Sequence, residues 1–320
     1  MSIDLAYDDG QMAITDALGQ FCRDRCDSDA VKANAGSFPR ALWSELAELG
    51  VLAAATAEGD GGALEVAAAM EALGDAVFPG PLVATFFAGQ LLDETERADL
   101  VELVEGRAVV SLGAPPLMPW APVAAIFLEL DGARVFRAQP VGEIAAVETL
   151  GGEPWGRVAL ERQEELTAPG RAFHLADIAL AAYLSAAGLR LVRDAALHAR
   201  TRTQFGRAIG EFQAVAHPLA DCHMRLSASA TLARSAAFAF DAGDEAACAR
   251  DCAGAALSAR AAALEAAHTG HQVFGAIGIT LEGPAFHVTR RIRQLASQPP
   301  GPARARAALL SHFGVSEVKK

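Results

Sequence analysis

Cysteine is scarce and irregularly placed, with five in 320 residues. Cys22 and Cys26 lie four apart, as do Cys248 and Cys252, and no histidine stands at ligand spacing beside either pair. That excludes a disulfide framework and a metal site local in sequence, and it leaves buried thiols acting as small hydrophobes. The start, Met1 to Leu5, lacks a basic segment followed by an apolar one, and the longest apolar runs reach only about a dozen residues. A secretion signal and a membrane span are therefore not expected, and a cytoplasmic protein is. Positive charge is in deficit, with 27 Lys and Arg against 39 Asp and Glu and a formal net charge of −12. Such a balance argues against a nucleic-acid partner. Fixed-period repeats and low-complexity tails are absent, which excludes solenoids and disordered tails. Aromatic residues are few, at 6%.

What is present is alanine. The hydrophobic fraction is 52%, dominated by Ala, and Ala-rich stretches poor in Pro favour packed helices. Three segments follow from the period of the apolar residues. Residues 1–105 read as helices. Asp8 and Asp9 open one, Phe38-Pro39-Arg40 opens another that ends near Gly50, and Ala63–Leu73 and Pro81–Leu92 continue the pattern around a Gly59-Asp60-Gly61-Gly62 turn. Residues 106–165 read as a small β domain. Its short strands are Ala108–Leu112, Ala124–Leu130, Ala133–Arg137 and Val158–Leu160, with a hairpin signal at Asp131-Gly132 and interruptions at Pro115, Pro116, Pro119 and Pro122. Residues 166–320 are helical again. Three long patterns part near Gly206–Gly210 and at Ala242-Gly243, a shorter helix runs from Pro284 to Leu295, and Pro299-Pro300-Gly301-Pro302 breaks the chain before a last helix. The fold class is mainly α with a small middle β domain.

Two stretches carry chemistry. The first is Arg202-Thr203-Gln204-Phe205-Gly206-Arg207-Ala208-Ile209, closed by Phe212-Gln213 and entered from an apolar helix, Leu180–Ala199. A guanidinium, free backbone N–H groups at a Gly turn and two glutamines are what a pyrophosphate requires. Phe205 and Phe212 are expected to anchor the turn by packing. Alone, an Arg-x-x-Phe-Gly string is also an ordinary helix C-terminus with a Gly stop. The second stretch is Gln272-Val273-Phe274-Gly275-Ala276-Ile277-Gly278. Its small residues allow close approach of a ligand or of another helix. Arginines cluster around both: Arg190, Arg193, Arg200, Arg202 and Arg207, then Arg290, Arg291, Arg293, Arg304 and Arg306. Local positive charge in an acidic chain suits small phosphorylated ligands.

Together these stretches resemble two fingerprints of the acyl-CoA dehydrogenase family of flavoenzymes. The resemblance runs over most of the chain and is densest from Leu180 to Arg293. It implies an N-terminal helical domain, a middle β domain and a C-terminal four-helix bundle. It also implies that Arg202, Thr203, Gln204, Phe205, Phe212 and Gln213 grip the FAD pyrophosphate, while Gln272, Val273, Phe274, Gly275 and Ala276 line its adenosine end. In the family both segments reach across a dimer interface into a neighbouring subunit's flavin. Ala276 departs from the usual Gly.

The other half of the family's site is missing. The family removes an α proton from an acyl-CoA thioester with a carboxylate while a hydride passes to the flavin. The usual Glu position falls at Pro299, and no Asp or Glu occurs from Gly283 to Ser316. The alternative position falls at Ala176, with Asp177 beside it and no carboxylate from Ile178 to Arg193. Asp177 is one methylene shorter than Glu and about 100° out of phase on a helix; its bland reading is an acid favoured by a helix N-terminus. Between Gly106 and Ala133 the only hydroxyl residue is Ser111, so the Thr/Ser-rich cradle of the flavin ring is absent. Trp120 and Trp155 are expected to pack in the core or on the surface.

The retained half acts in trans and the missing half in cis. The chain therefore resembles the small subunit of heterotetrameric, α2β2, bacterial acyl-CoA dehydrogenases known from steroid side-chain breakdown. FAD would be shared across the interface, and the acyl-CoA substrate would bind in the catalytic partner's site. Two other readings stay open: a self-sufficient homo-oligomeric dehydrogenase using Asp177, and a flavin-free helical scaffold subunit.

Overall fold

A computed structural model describes residues 5–26, 36–56, 58–92 and 97–315. The N-terminal reading over residues 1–4 lies outside them, as does Ser316 at the end of the carboxylate-free stretch. Helix α1 (Asp9–Arg25) begins where the acids predict, and Asp8 caps it. The Asp8 carboxylate accepts from the Gln11 N–H at 2.8 Å, and the Gln11 side chain accepts from the Asp8 N–H at 3.1 Å, which satisfies two orphan donors reciprocally. Helix α2 (Arg40–Glu48) buries Leu42, Trp43 and Leu46 and stops at Gly50, whose φ of 76° favours a residue without Cβ. Helices α3 (Ala63–Asp75), α4 (Leu82–Leu92) and α5 (Arg97–Val104) complete the first segment. The Asp241 carboxylate caps α3 from far along the chain, accepting from Ala63 N–H at 2.7 Å and Leu64 N–H at 3.0 Å.

The middle segment is one five-stranded sheet in the order β1-β3-β4-β5-β2. Its strands are β1 (Val110–Gly113), β2 (Leu117–Pro119), β3 (Ile126–Asp131), β4 (Arg134–Val147) and β5 (Trp155–Leu166). β1 runs parallel to β3 and the other pairs are antiparallel. The hairpin at Asp131-Gly132 forms, with Asp131 opposite Arg134. Two expectations need correction. The strand expected at Ala133–Arg137 is only the start of a strand of 14 residues, and Val158–Leu160 is part of one of 12 residues. The proline-rich stretch also supplies an edge strand, β2, in which Pro119 closes the pairing with Trp155.

The last segment packs α6 (Gly170–Thr201), α7 (Gln213–Asp241) and α8 (Glu245–Phe274) side by side, then adds α9 (Pro284–Ser297) and α10 (Pro302–His312). Alanine on facing sides lets these helices approach closely, and a Cβ on Gly188 would stand 2.5 Å from Leu226. α6 is long and apolar enough to cross a membrane, which the run-length reading missed, but 89% of its most apolar window lies buried inside the fold. A core helix passes the same test.

One buried side chain ties the segments together. Arg291 on α9 donates to the Gly80 carbonyl at 2.7 Å and to the Tyr183 hydroxyl at 3.2 Å, and it pairs with Glu153. The Tyr183 hydroxyl donates in turn to the Phe78 carbonyl at 2.8 Å. Gln298 donates to Glu153 at 2.7 Å.

Candidate functional site

Helix α6 ends at Thr201, and Arg202 caps it. The Arg202 N–H donates to the His198 carbonyl at 2.9 Å, and the Arg202 carbonyl accepts from Ile209 at 2.8 Å. These two bonds pin both flanks of a small hairpin in which β6 (Thr203–Gln204) pairs with β7 (Arg207–Ala208). The turn is Phe205-Gly206, with φ of 53° and 80°. Two successive positive φ values are the hairpin geometry that matches strand twist, but a bulky residue rarely adopts the first. Thr203, Gln204, Phe205, Gly206 and Arg207 are all exposed, and the Gln204 amide donates to the Thr203 carbonyl at 2.7 Å. The Arg202 guanidinium is exposed, and no described residue pairs with it. Arg207 lies over the Phe212 ring, 4.0 Å from its centroid. Gln213 opens α7 and faces solvent.

Phe205 differs from expectation. It does not anchor the turn in the core: it is 91% exposed and touches only the edge of Phe212, with ring centroids 6.2 Å apart. The hairpin is held by the Arg202 backbone, which leaves the Phe205 ring free at its tip.

The second motif closes α8. Phe274 is the last helical residue, Gly275 turns at φ 62°, and a short 3₁₀ helix runs Gly275–Ile279. Gln272, Gly275 and Ala276 are exposed, whereas Val273 and Phe274 are buried. The last two side chains therefore hold the turn from within. The Ala276 methyl sits on the exposed part of this turn. The His198 ring packs on Phe274 at 4.9 Å between centroids. His198 is one turn before Arg202 and Phe274 one residue before Gly275, so this contact brings both motifs to the same end of the bundle. Apolar side chains stand exposed around them, among them Leu197, Met224, Ile277 and Ile279. A groove of about 680 Å³ between α6 and α7 is lined by Leu189, Val192, Ala196, Leu219 and His223.

The position of a proton-abstracting carboxylate looks different. Asp177 is not near a helix N-terminus, because α6 starts at Gly170. It is fully buried in the third turn and ion-paired with Arg304 of α10. Burial pushes its carboxyl above the ordinary value, and Arg304 pulls against that. Arg304 also lies 4.7 Å from the Phe173 ring centroid. Neighbouring Arg260 donates to the carbonyls of Ala296 and Pro300, at 3.1 and 2.6 Å. It thereby fastens the segment that carries Pro299. Where Gly80, Leu112, Trp120, Leu295 and Pro299 meet, only about 10 Å³ of space remains, at the lower limit for one water. Ser111, the lone hydroxyl of its stretch, is buried and donates to the Pro119 carbonyl at 2.6 Å. Trp120 is core, against Phe38. Trp155 is half-buried beside a second cavity of about 840 Å³ lined also by Leu150, His271, Phe286 and Arg293. Glu282 lies in the turn before α9.

Residues 8–93 match the family model described as "Acyl-CoA dehydrogenase, N-terminal domain", and residues 167–297 match "Acyl-CoA dehydrogenase, C-terminal domain". The chain is 31% identical over 267 residues to "Acyl-CoA dehydrogenase IpdE2" of Mycobacterium tuberculosis, covering 79% of this chain and 80% of that protein. The chain belongs to the acyl-CoA dehydrogenase family. Its fold is shared with the Tcur3481-Tcur3483 steroid ACAD, with a TM-score of 0.84 at 22% identity over 95% of this chain and 98% of the other. It is shared equally with the ChsE4-ChsE5 complex from Mycobacterium tuberculosis, with a TM-score of 0.83 at 22% identity over 99% and 100% of the two chains. "PigA with FAD and proline", a structure that includes the flavin, superposes at 0.84 with 19% identity over 98% and 100%.

Sequence reasoning missed one cluster. The structure brings His174 of α6 to Cys248 of α8, Nδ1 to Sγ 3.4 Å, although 74 residues separate them. No spacing rule in the sequence signals that approach.

Proposed function

We propose that this chain is a non-catalytic subunit of an FAD-dependent acyl-CoA dehydrogenase, which completes the flavin site of a catalytic partner. The supporting observation is the contrast between the two halves of the family's site. The half that reaches across an interface is exposed and unpaired at Arg202, at Gly206 and at Gly275. In the half that would serve its own flavin, Asp177 is buried against Arg304 and little space remains around Pro299. A flavin pyrophosphate fits the first half, because an uncompensated guanidinium and exposed glycine turns are what a diphosphate recruits. A flavin ring does not fit the second, because Ser111 is already bonded to Pro119. In this reading Arg202, Thr203, Gln204 and Gln213 hold phosphate oxygens, and Gln272, Gly275 and Ala276 approach the adenosine. Phe205, exposed at the hairpin tip, inserts into the partner. When bound, the flavin supplies the hydride acceptor; this chain orients it and takes no proton.

The apolar groove and the exposed Leu197, Met224 and Ile277 support a partner surface on the same end. An α2β2 assembly with the acyl-CoA bound in the partner is the arrangement we favour, in the cytoplasm. Steroid side-chain acyl-CoA is the substrate class, on the strength of the fold shared with a steroid ACAD. Dehydrogenation by Asp177 finds no support in a carboxylate that is buried against Arg304.

The test is a flavin absorbance spectrum of the chain purified alone and after co-expression with a catalytic subunit. The chain alone should be colourless, and the complex should carry FAD. A yellow, fully flavinated homo-oligomer would overturn the reading. A complex that forms without flavin would make the chain a scaffold.

A further inference from the structure

Cys248 and Cys252 stand one turn apart near the start of α8, with their sulfurs 3.6 Å apart. Cys248 is the fourth residue of the helix, where the amide dipoles favour an anion. His174 approaches the same sulfur from α6 at 3.4 Å. Arg171, one turn earlier on α6, stacks on Phe240 with its guanidinium 3.8 Å from the ring centroid. Cys248, His174, Arg171 and Phe240 line one cavity of about 470 Å³, so the sulfur meets solvent although little of it is exposed. Cys252 lies beneath, fully buried.

We propose that Cys248 and Cys252 form a peroxide-reactive dithiol, with Cys248 as the attacking sulfur and Cys252 as the resolving one. The co-reactant is a hydroperoxide. The Cys248 thiolate attacks one peroxide oxygen and the O–O bond breaks. The leaving hydroxide or alkoxide takes a proton from solvent, and the sulfur, oxidised by two electrons, becomes a sulfenic acid. The Cys252 sulfur then attacks it. An S–S bond forms, and the sulfenic oxygen leaves as water with the Cys252 proton. Residues four apart on a helix have Cα atoms about 6.2 Å apart, inside the usual disulfide range of roughly 4.4–6.8 Å, but Cβ atoms about 5–6 Å apart, beyond the roughly 3.5–4.5 Å of a disulfide, so the helix has to open locally for the bond to close. The sulfurs must still close by more than an ångström, which the first turn of α8 has to accommodate.

The electrostatics favour this direction of attack. The hydrogen bond from Cys252 lowers the Cys248 thiol the most; burial opposes it, and His174 and then Arg171 lower it further, to about 5. Cys252 moves the other way, well above its ordinary value, through its bond to Cys248 and through burial. Cys22, in the other pair of the same spacing, is raised as Cys252 is, with the bond to Cys26 first and burial second.

A low thiol pKa raises the thiolate fraction but lowers its intrinsic nucleophilicity. At neutral pH the two effects nearly cancel; in acid they do not. The experiment treats the full chain with hydrogen peroxide at about pH 5.5 and about pH 8 and reads each cysteine by mass spectrometry. Trypsin separates the two sulfurs, which lie in Ser235–Arg250 and Asp251–Arg260, so a disulfide appears as a cross-linked pair of peptides. Near pH 5.5 Cys248 should oxidise roughly tenfold or more faster than Cys22. Cys252→Ser should abolish the cross-link and leave Cys248 with added oxygen, and Cys248→Ser should leave Cys252 unreacted. His174→Gln, folded by circular dichroism, should slow the reaction in acid severalfold. Equal rates for Cys248 and Cys22 at about pH 5.5, or no cross-linked peptides in the wild-type chain, would overturn the proposal.

Discussion

At the C-terminal end of α6, Arg202 stands in solvent without a counter-charge among the described residues. About seven turns earlier on the same helix, Asp177 is buried with Arg304 against it. Both are charged groups, and the fold treats them in opposite ways. One charge is left unneutralised at a surface and the other is neutralised from within. An exposed arginine retains its hydration until a ligand displaces it. A buried carboxylate has to be satisfied by the fold itself. The difference separates a group available for binding from one that has become part of the packing.

The largest expected effect comes from breaking the buried end. Arg304→Ala should destabilise the chain by about 3–5 kcal/mol at neutral pH, the range for removing one partner of a buried ion pair, read from urea unfolding. The sign of its pH dependence follows from the raised Asp177 pKa. A carboxyl raised in the folded state contributes stability that is present at acid pH and lost as pH rises through the folded value. Without Arg304 that pKa rises further, so the penalty should be smaller near pH 5 than near pH 8. A penalty that grows in acid would contradict the burial argument. Replacing both partners with apolar residues of similar size should recover most of the loss.

Arg202→Ala should have the opposite profile. In the assembled enzyme it should weaken FAD retention by about 1.5–3 kcal/mol, or one to two decades in affinity, while the melting of the chain itself stays within about 0.5 kcal/mol of the parent. Arg202→Lys should restore part of the affinity, because an ammonium lacks the forked geometry. Unchanged flavin affinity in Arg202→Ala would remove the contrast between the two ends.

The smallest effect should be on turnover. Asp177→Asn in the assembled enzyme should leave the dehydrogenation rate within a few-fold of the parent, whereas a positioned base contributes about 10²–10⁴-fold. A loss of that size with folding and flavin content intact would make Asp177 the base after all.

Much of this contrast could be read from the residues. The helices declared themselves through alanine content, period and punctuation at Gly50, Gly206, Gly243 and Pro302. The two motifs lay in contiguous stretches, and contiguous stretches are what a sequence displays. The long β4–β5 hairpin was less visible, because it is mostly exposed, Pro140 and Gly142 interrupt β4, and β5 carries Arg and Glu with Val158 as its one β-branched residue. It is held by cross-strand ion pairs such as Arg134–Glu165, and by Arg162–Glu129 to β3. The Asp177–Arg304 pair spans 127 residues and the Cys248–His174 approach 74. Neither has a local signature, since each exists only after the bundle has closed. Phe205 misled because an aromatic residue beside a glycine suggests an anchor, whereas the backbone at Arg202 does the anchoring.

Arg291 bears on how the chain comes into being. Its guanidinium engages Gly80, Tyr183 and Glu153, one from each of the three segments marked off by period and composition. Those segments are divisions of pattern, and a single ion bridges all of them. The Gly80 carbonyl and the Glu153 carboxylate leave the ribosome long before Arg291 does, so neither finds this partner until nearly the whole polypeptide has been made. An N-terminal fragment would lack the ion that locks it to the rest.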